Sequence, residues 1–176
     1  MSRKLAIAAA TIALTASSAL AAEIPVDVDG KRVVVAATSL HRPIRPNDRD
    51  AGNQQSALGC SFLYYGYLAR GDLSAAAALS TDPKVSADKL TQYRERIGAD
   101  EFRKTMAAYF TAGNVALAEL SSGETVMLVV KTSEYTAGQF YTRQGNQWRW
   151  MERPPGEAGR ALGRVLNMIQ NGSLKL

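Results

Sequence analysis

The sequence predicts an α+β protein, with helices in the first part of its body packed on an antiparallel meander sheet formed by the second part. Three observations predict it. Between Ser56 and Gly113, apolar side chains recur at helical spacing. After Asn114 the period falls to two, and the runs are joined by short, turn-forming connections. Pro154-Pro155 then separates the sheet from a last apolar stripe at helical spacing.

Residues 1–21 begin Met-Ser-Arg-Lys, continue with an apolar stretch from Leu5 to about Ala16, and end Ser17-Ser18-Ala19-Leu20-Ala21. A positive start, an apolar run too short to span a bilayer and a small-x-small site read as a signal peptide cleaved after Ala21. A cut after Ala22 and an N-terminal membrane anchor are the alternatives. Without a twin-Arg pair, export of the unfolded chain is the expected route. The expected address is the periplasm, with the extracellular space as second choice.

Residues 22–55 form an N-terminal hairpin and a polar loop. Ile24–Val28 and Arg32–Ala36 flank Asp29-Gly30, a dipeptide suited to a type I′ turn. A single extended arm is the alternative. Residues 39–55 contain Pro43, Pro46 and Gly52 and have no apolar period, so they read as a loop or mobile linker. Arg42, Arg45 and Arg49 are interspersed with Asp48 and Asp50, which suits a solvated loop better than a basic patch.

Residues 56–152 form the α+β body. A first helix carries Leu58, Phe62, Tyr65 and Ala69 on one stripe and stops at Gly71. Asp72 caps a second, Leu73–Leu79. Ser86 is expected to cap a third, with Leu90, Tyr93 and Ile97 on its stripe. Asp100 is expected to cap a fourth, with Phe102, Met106, Tyr109 and Phe110, unless the third and fourth are one bent helix. Four strands follow at Val115–Leu120, Thr125–Lys131, Gly138–Arg143 and Gln147–Glu152. Residues 153–176 hold a C-terminal amphipathic helix with Ala158, Leu162, Val165, Leu166 and Ile169 on one side.

Composition removes several function classes. The chain has 176 residues, 46% apolar and 21% charged, which excludes wholesale disorder. Its single Cys excludes an intramolecular disulfide, and with a single His it cannot build a Cys/His zinc cage. The pI near 9.5 hints at an anionic partner. Removing residues 1–21 takes Arg3 and Lys4 with it, however, leaving 19 basic against 16 acidic side chains, a net +3 over 155 residues. Nucleic acid is not an expected partner.

No catalytic constellation assembles from the sequence. His41 lies among turn-forming residues, and Cys60 sits beside Phe62 and Leu63, where a buried inert thiol is expected. Ser86-Ala87-Asp88-Lys89 matches Ser-x-x-Lys, but the companion motifs of penicillin-recognising enzymes are missing. Glu119, Glu134 and Glu152 fall at or near strand ends, and no Gly-rich phosphate loop occurs. No cofactor or metal is expected, and no catalytic residue is assigned.

Aromatic side chains supply the candidate site. If Gly145-Asn146 is a two-residue turn, Tyr141 faces Trp150, Arg143 faces Trp148 and Gln139 faces Glu152 on one side of the sheet, while Phe140 faces Met151 and Thr142 faces Arg149 on the other. Arg143 over the Trp148 indole would form a cation–π pair. This group is either cross-strand stabilisation or the wall of a pocket. On the helices, Tyr64, Tyr65 and Tyr67 cannot all point one way, so Tyr64 or Tyr67 is expected to line a groove or reach solvent. The candidate ligand-binding residues are Tyr64, Tyr67, Tyr109, Tyr141, Arg143, Trp148 and Trp150.

The order of elements carries a resemblance. Tyr67-Leu68-Ala69-Arg70-Gly71-Asp72-Leu73, the helices around Tyr93 and Phe102, and the closing hairpin Tyr141-Thr142-Arg143-Gln144-Gly145-Asn146-Gln147-Trp148 resemble the NTF2-like (SnoaL-like, cystatin-related) α+β cone over about 56–152. The resemblance implies a curved sheet and a pocket between it and the helices. It also implies a family of isomerases, cyclases and non-catalytic modules; the Asp/His bases of the enzymes have no match here. The expected function is an exported, non-catalytic binding or accessory module for a small amphipathic ligand or a partner protein, with a homodimer left open. The alternatives are a small NTF2-like enzyme of isomerase or hydrolase type using Glu119 or a Tyr, and a secreted inhibitor or immunity protein acting through loop 39–55.

Overall fold

The structure is a computed structural model that describes residues 21–176; the signal peptide expected over 1–21 lies, apart from its last residue, outside the described residues. Six antiparallel strands form one sheet in sequential order: β1 (Ala22–Val28), β2 (Lys31–Pro43), β3 (Val115–Ser122), β4 (Thr125–Lys131), β5 (Thr136–Gln144) and β6 (Gln147–Met151). Four helices interrupt the meander between β2 and β3: α1 (Ala57–Arg70), α2 (Leu73–Ala78), α3 (Pro83–Ile97) and α4 (Ala99–Ala107). They cover the β4–β6 end of one sheet face. A fifth, α5 (Gly156–Gln170), lies on the opposite face across β1–β5. The class is α+β, helices packed on a curved antiparallel sheet, as the two periods of the sequence predict.

The N-terminal hairpin forms with Asp29 and Gly30 both at positive φ, 54° and 78°, as a type I′ turn requires. It is part of the main sheet, because β2 pairs with β3 from Ala36↔Ser121 to Pro43↔Val115. A register shift between Ser39 and Arg42 bends β2 there, with His41 in the left-handed region at φ 44°.

This corrects the reading of 39–55 as a loop or mobile linker. Its first residues complete β2, and Pro46–Asp50 forms a 3₁₀ turn. Ile44 is 1% exposed and its N–H donates to the Asn114 carbonyl at 2.8 Å. Asp48 is buried, accepting from the Arg42 guanidinium and the Arg45 N–H, both at 2.8 Å. Arg42 and Asp48 thus clasp the segment, while Arg45 and Arg49 stay exposed. The segment presses on α1 where glycines leave room: a Cβ on Gly66 would lie 2.6 Å from the Arg49 carbonyl oxygen. The strand pairing to β3 and the Ile44–Asn114 bond reach far along the chain, so no local period announced them.

Two helix caps also differ from expectation. Asp82, not Ser86, caps α3, accepting from the Val85 N–H, with Pro83 in the first turn. Ser86 is buried one turn into the helix. Gly98, at φ 87°, separates α3 from α4, and Asp100 stands inside the first turn of α4 rather than at its cap. The bent-helix alternative thus resolves into two helices. Gly71 and Asp72 cap as the sequence predicts, and Ser56 caps α1, accepting from the Gly59 N–H.

Burial divides between the two faces. On the α5 side, Ile24, Val26, Val35, Leu120, Met127 and Val129 meet Ala161, Leu162 and Val165 in an aliphatic core. On the other side, Phe62, Tyr109, Phe110, Leu128 and Tyr141 form one cluster, while Tyr64, Leu68 and Phe102 anchor a second among the helices.

Candidate functional site

The period-two alternation of β5 sends Gln139 and Tyr141 toward the helices, while Gly138 backs onto the α5 face, where a Cβ would strike the Met127 sulfur at 2.3 Å. Helix α1 presents Ser61 and Tyr65 to the same region, and the 3₁₀ turn after α4 (Ala108–Phe110) presents Tyr109. Of these, Tyr65, Tyr109 and Gln139 border a half-open cavity of about 510 Å³ between the helices and the sheet, with Ser61 and Tyr141 buried behind them. That volume is within the range of small-molecule sites.

Beneath the cavity lies a connected polar network. The Tyr109 hydroxyl meets Ser61 Oγ at 2.7 Å, Ser61 donates to Gln139 Oε1 at 2.8 Å, and the Tyr141 hydroxyl donates to the same oxygen at 3.0 Å. Since Ser61 has one proton and gives it to Gln139, Tyr109 is the donor to Ser61. Two donors occupy Gln139 Oε1, so its amide N–H groups are what it offers an occupant. The ring of Tyr65 stacks on that of Tyr109 with centroids 4.0 Å apart and planes 5° apart. Tyr93, Glu134 and the exposed Tyr135 complete the wall.

Burial keeps the phenols of Tyr65, Tyr109 and Tyr141 neutral. It pushes Tyr65 up to about 12, helped by the hydroxyl of Tyr135. Tyr109 and Tyr141 are also raised, burial being the largest cause in each. The arrangement therefore presents hydroxyl donors and ring surface, and burial moves Tyr65, Tyr109 and Tyr141 away from acid/base work at neutral pH.

The candidate aromatic residues divide among several places. Tyr109 lines the cavity, and Tyr141 lies fully buried below it. The hairpin register is as the sequence predicts, with Tyr141↔Trp150, Arg143↔Trp148, Phe140↔Met151 and Thr142↔Arg149. Gln139 and Glu152 fall beyond that ladder, and Glu152 forms an ion pair with Lys89. Trp150 stacks on the buried Tyr64 at 5.3 Å and 8°, so its indole packs against α1. Trp148 is half-buried, its backbone N–H donating to the Gln54 carbonyl at 2.9 Å. Arg143 is exposed, and the cation–π contacts among the described residues are those of Arg42 on Phe62, Arg70 on Tyr67 and Arg96 on Tyr93. Tyr67 is half-buried beneath Arg70.

Sequence reasoning did not select Tyr65, Tyr93, Glu134 or Tyr135 for the site, and it placed Gln139 on the possible pocket wall without naming it among the ligand-binding residues. Period two from Tyr141 places Gln139 on its face, and the structure brings it to the cavity. Glu134 and Tyr135 sit in the β4–β5 connection, where no periodicity points.

Cys60 is fully buried, its thiol donating to the Trp148 carbonyl at 3.3 Å, and burial pushes its pKa up from 9.0 to about 11. Glu119, the carboxylate considered for acid/base work, is raised by burial but does not line the cavity. No group of three or more His, Cys, Asp or Glu side chains among the described residues could hold a metal ion. No helix among them is long and apolar enough to cross a membrane. The chain matches no protein-family model, no curated protein and no solved structure.

Proposed function

We propose that this chain is an exported, non-catalytic binding module that holds a small amphipathic ligand between its helices and its sheet. The observation that carries the reading is the tyrosine-walled cavity of about 510 Å³, floored by the Tyr109–Ser61–Gln139–Tyr141 network. Ring faces suit the apolar part of a ligand, and the tyrosine hydroxyls and Gln139 amide suit its polar part. The hydroxyls of the floor and the Gln139 Oε1 are tied to one another, which holds the Gln139 amide in place with its N–H groups free for an occupant. The periplasm, reached after cleavage at Ala21, is the proposed address.

Native mass spectrometry of the protein recovered from its own compartment tests this reading. The expected spectrum shows a chain beginning at Ala22 and carrying a small-molecule adduct. Ala112 is exposed on the cavity border, and Ala112→Trp is expected to remove the adduct without unfolding the chain. An adduct retained by that variant would place the ligand elsewhere, and a chain always recovered bare would count against a ligand site.

A further inference from the structure

The floor of the cavity dictates which end of a hydrogen bond an occupant must bring. Gln139 Oε1 accepts from Ser61 at 2.8 Å and from the Tyr141 hydroxyl at 3.0 Å, which fills both of its lone pairs. The Tyr109 hydroxyl gives its proton to Ser61 at 2.7 Å. The hydroxyl protons of the floor are therefore spent inside it, and the N–H groups of Gln139 are the donors it has left. Gln139 lines the cavity, while Ser61 and Tyr141 are fully buried behind it.

This polarity cannot be reversed by turning the amide end for end. Tyr141 is fully buried, and among the described residues its hydroxyl bonds to Gln139 Oε1 alone. A turned amide would set its N–H groups against that hydroxyl and strand a buried proton without an acceptor. The donors are thus fixed. Solvent satisfies them in the free protein, and an occupant without an acceptor would strip that solvent and give nothing back. An alcohol can accept, but its own proton then needs an acceptor that Gln139 no longer offers. A carboxylate also accepts, but Tyr109, Ser61, Gln139 and Tyr141 carry no charge to offset the hydration it would lose.

We infer that the cavity takes a neutral carbonyl compound, its oxygen on the Gln139 N–H groups and its apolar body against Met106, Ala108, Val130 and Ala137 of the lining. Gln139 is then the residue that sets specificity. This inference rests on the cavity being a ligand site, and it names the ligand's class.

Acetophenone, α-methylstyrene and benzoate share a shape, and they present a carbonyl oxygen, a methylene group and a charged carboxylate in the same place. Titrating each into isotope-labelled protein while following the Gln139 side-chain amide by NMR separates the acceptor from fit and from charge. Acetophenone is expected to bind at least about tenfold more tightly than α-methylstyrene, and more tightly than benzoate. It should move the Gln139 amide protons downfield, as a new hydrogen bond does. Gln139→Met is expected to bring acetophenone and α-methylstyrene within about twofold of each other. If that variant does not fold, the amide shift in the parent protein decides. Equal binding of acetophenone and α-methylstyrene, tighter binding of benzoate, or amide protons that stay in place would overturn the inference and leave the cavity reading standing. If no probe binds but the protein recovered from its own compartment carries an adduct, a neutral carbonyl compound supports the inference and any other overturns it. Binding of no probe by a chain always recovered bare would overturn both.

Discussion

On the α5 face of the sheet the buried side chains are Ile, Val, Leu, Met and Ala throughout, whereas between the other face and the helices Gln139 and Tyr141 of β5 are joined by hydrogen bonds to Ser61 and Tyr109. The same strands supply both. Met127 and Val129 point to one side of β4, and Leu128 and Val130 to the other. A dry aliphatic layer fills its volume and offers nothing to recognise. The opposite layer stops short of filling and leaves a cavity with oriented donors. The difference teaches where stability and recognition reside in this fold: behind the sheet and in front of it.

Substitutions can break that division, beginning with the largest effect. Leu162→Ala removes a fully buried side chain from the α5 layer and is expected to cost about 2–5 kcal/mol in chemical denaturation. Ligand binding by the fraction that remains folded should be unchanged. If affinity collapses with stability, the two faces are not separable.

Ser61→Ala acts on the other side. Ser61 is fully buried and bridges Tyr109 to Gln139, so its loss leaves the Tyr109 hydroxyl without its acceptor, at a cost of about 1–3 kcal/mol. Here affinity should fall together with stability. Unchanged affinity would show that the network supports the fold without shaping the site.

Glu119 gives a smaller effect with a definite pH signature. Burial raises its pKa in the folded chain above the unfolded value, so folding favours the protonated form. Its contribution is fully present below the ordinary carboxylate range and is lost as pH rises through the raised value. Glu119→Gln should therefore match the parent in acid and exceed it at neutral pH. A parent more stable than the variant at neutral pH would mean that the carboxylate has a partner worth more than its desolvation.

Smallest of all is Tyr135→Ala. The ring is 61% exposed, and the change is expected to move stability by no more than about 0.5 kcal/mol while weakening the ligand. A large loss of stability would make Tyr135 part of the fold rather than of the wall.

The parts of the molecule legible in the sequence are those governed by local rules. The helix-then-sheet order, the Asp29-Gly30 turn, the Gly71 and Asp72 caps and the register of the last hairpin all follow from turn chemistry and periodicity. The β2–β3 pairing was not legible, because the residues that bend β2 at His41 and bury Ile44 meet partners on the far side of four helices. Ser86 looked like a cap because a serine precedes an apolar stripe, but Asp82-Pro83 one turn earlier starts the helix first. For the site, abundance of aromatics was a poor guide. Trp150 and Tyr64 spend their faces on one another, whereas Tyr65 and Tyr135 reach the cavity through packing and a connection that no period marks.

Methionine methyl resonances read the two faces of the sheet separately, since Met106 borders the cavity and Met127 lies fully buried on the α5 side. Titrating the protein with a set of small aromatic compounds while following both methyls tests the division most directly. The account predicts compounds that shift Met106 in a saturable manner and leave Met127 in place. A set that never moves Met106, or that moves Met127 as strongly, would contradict it.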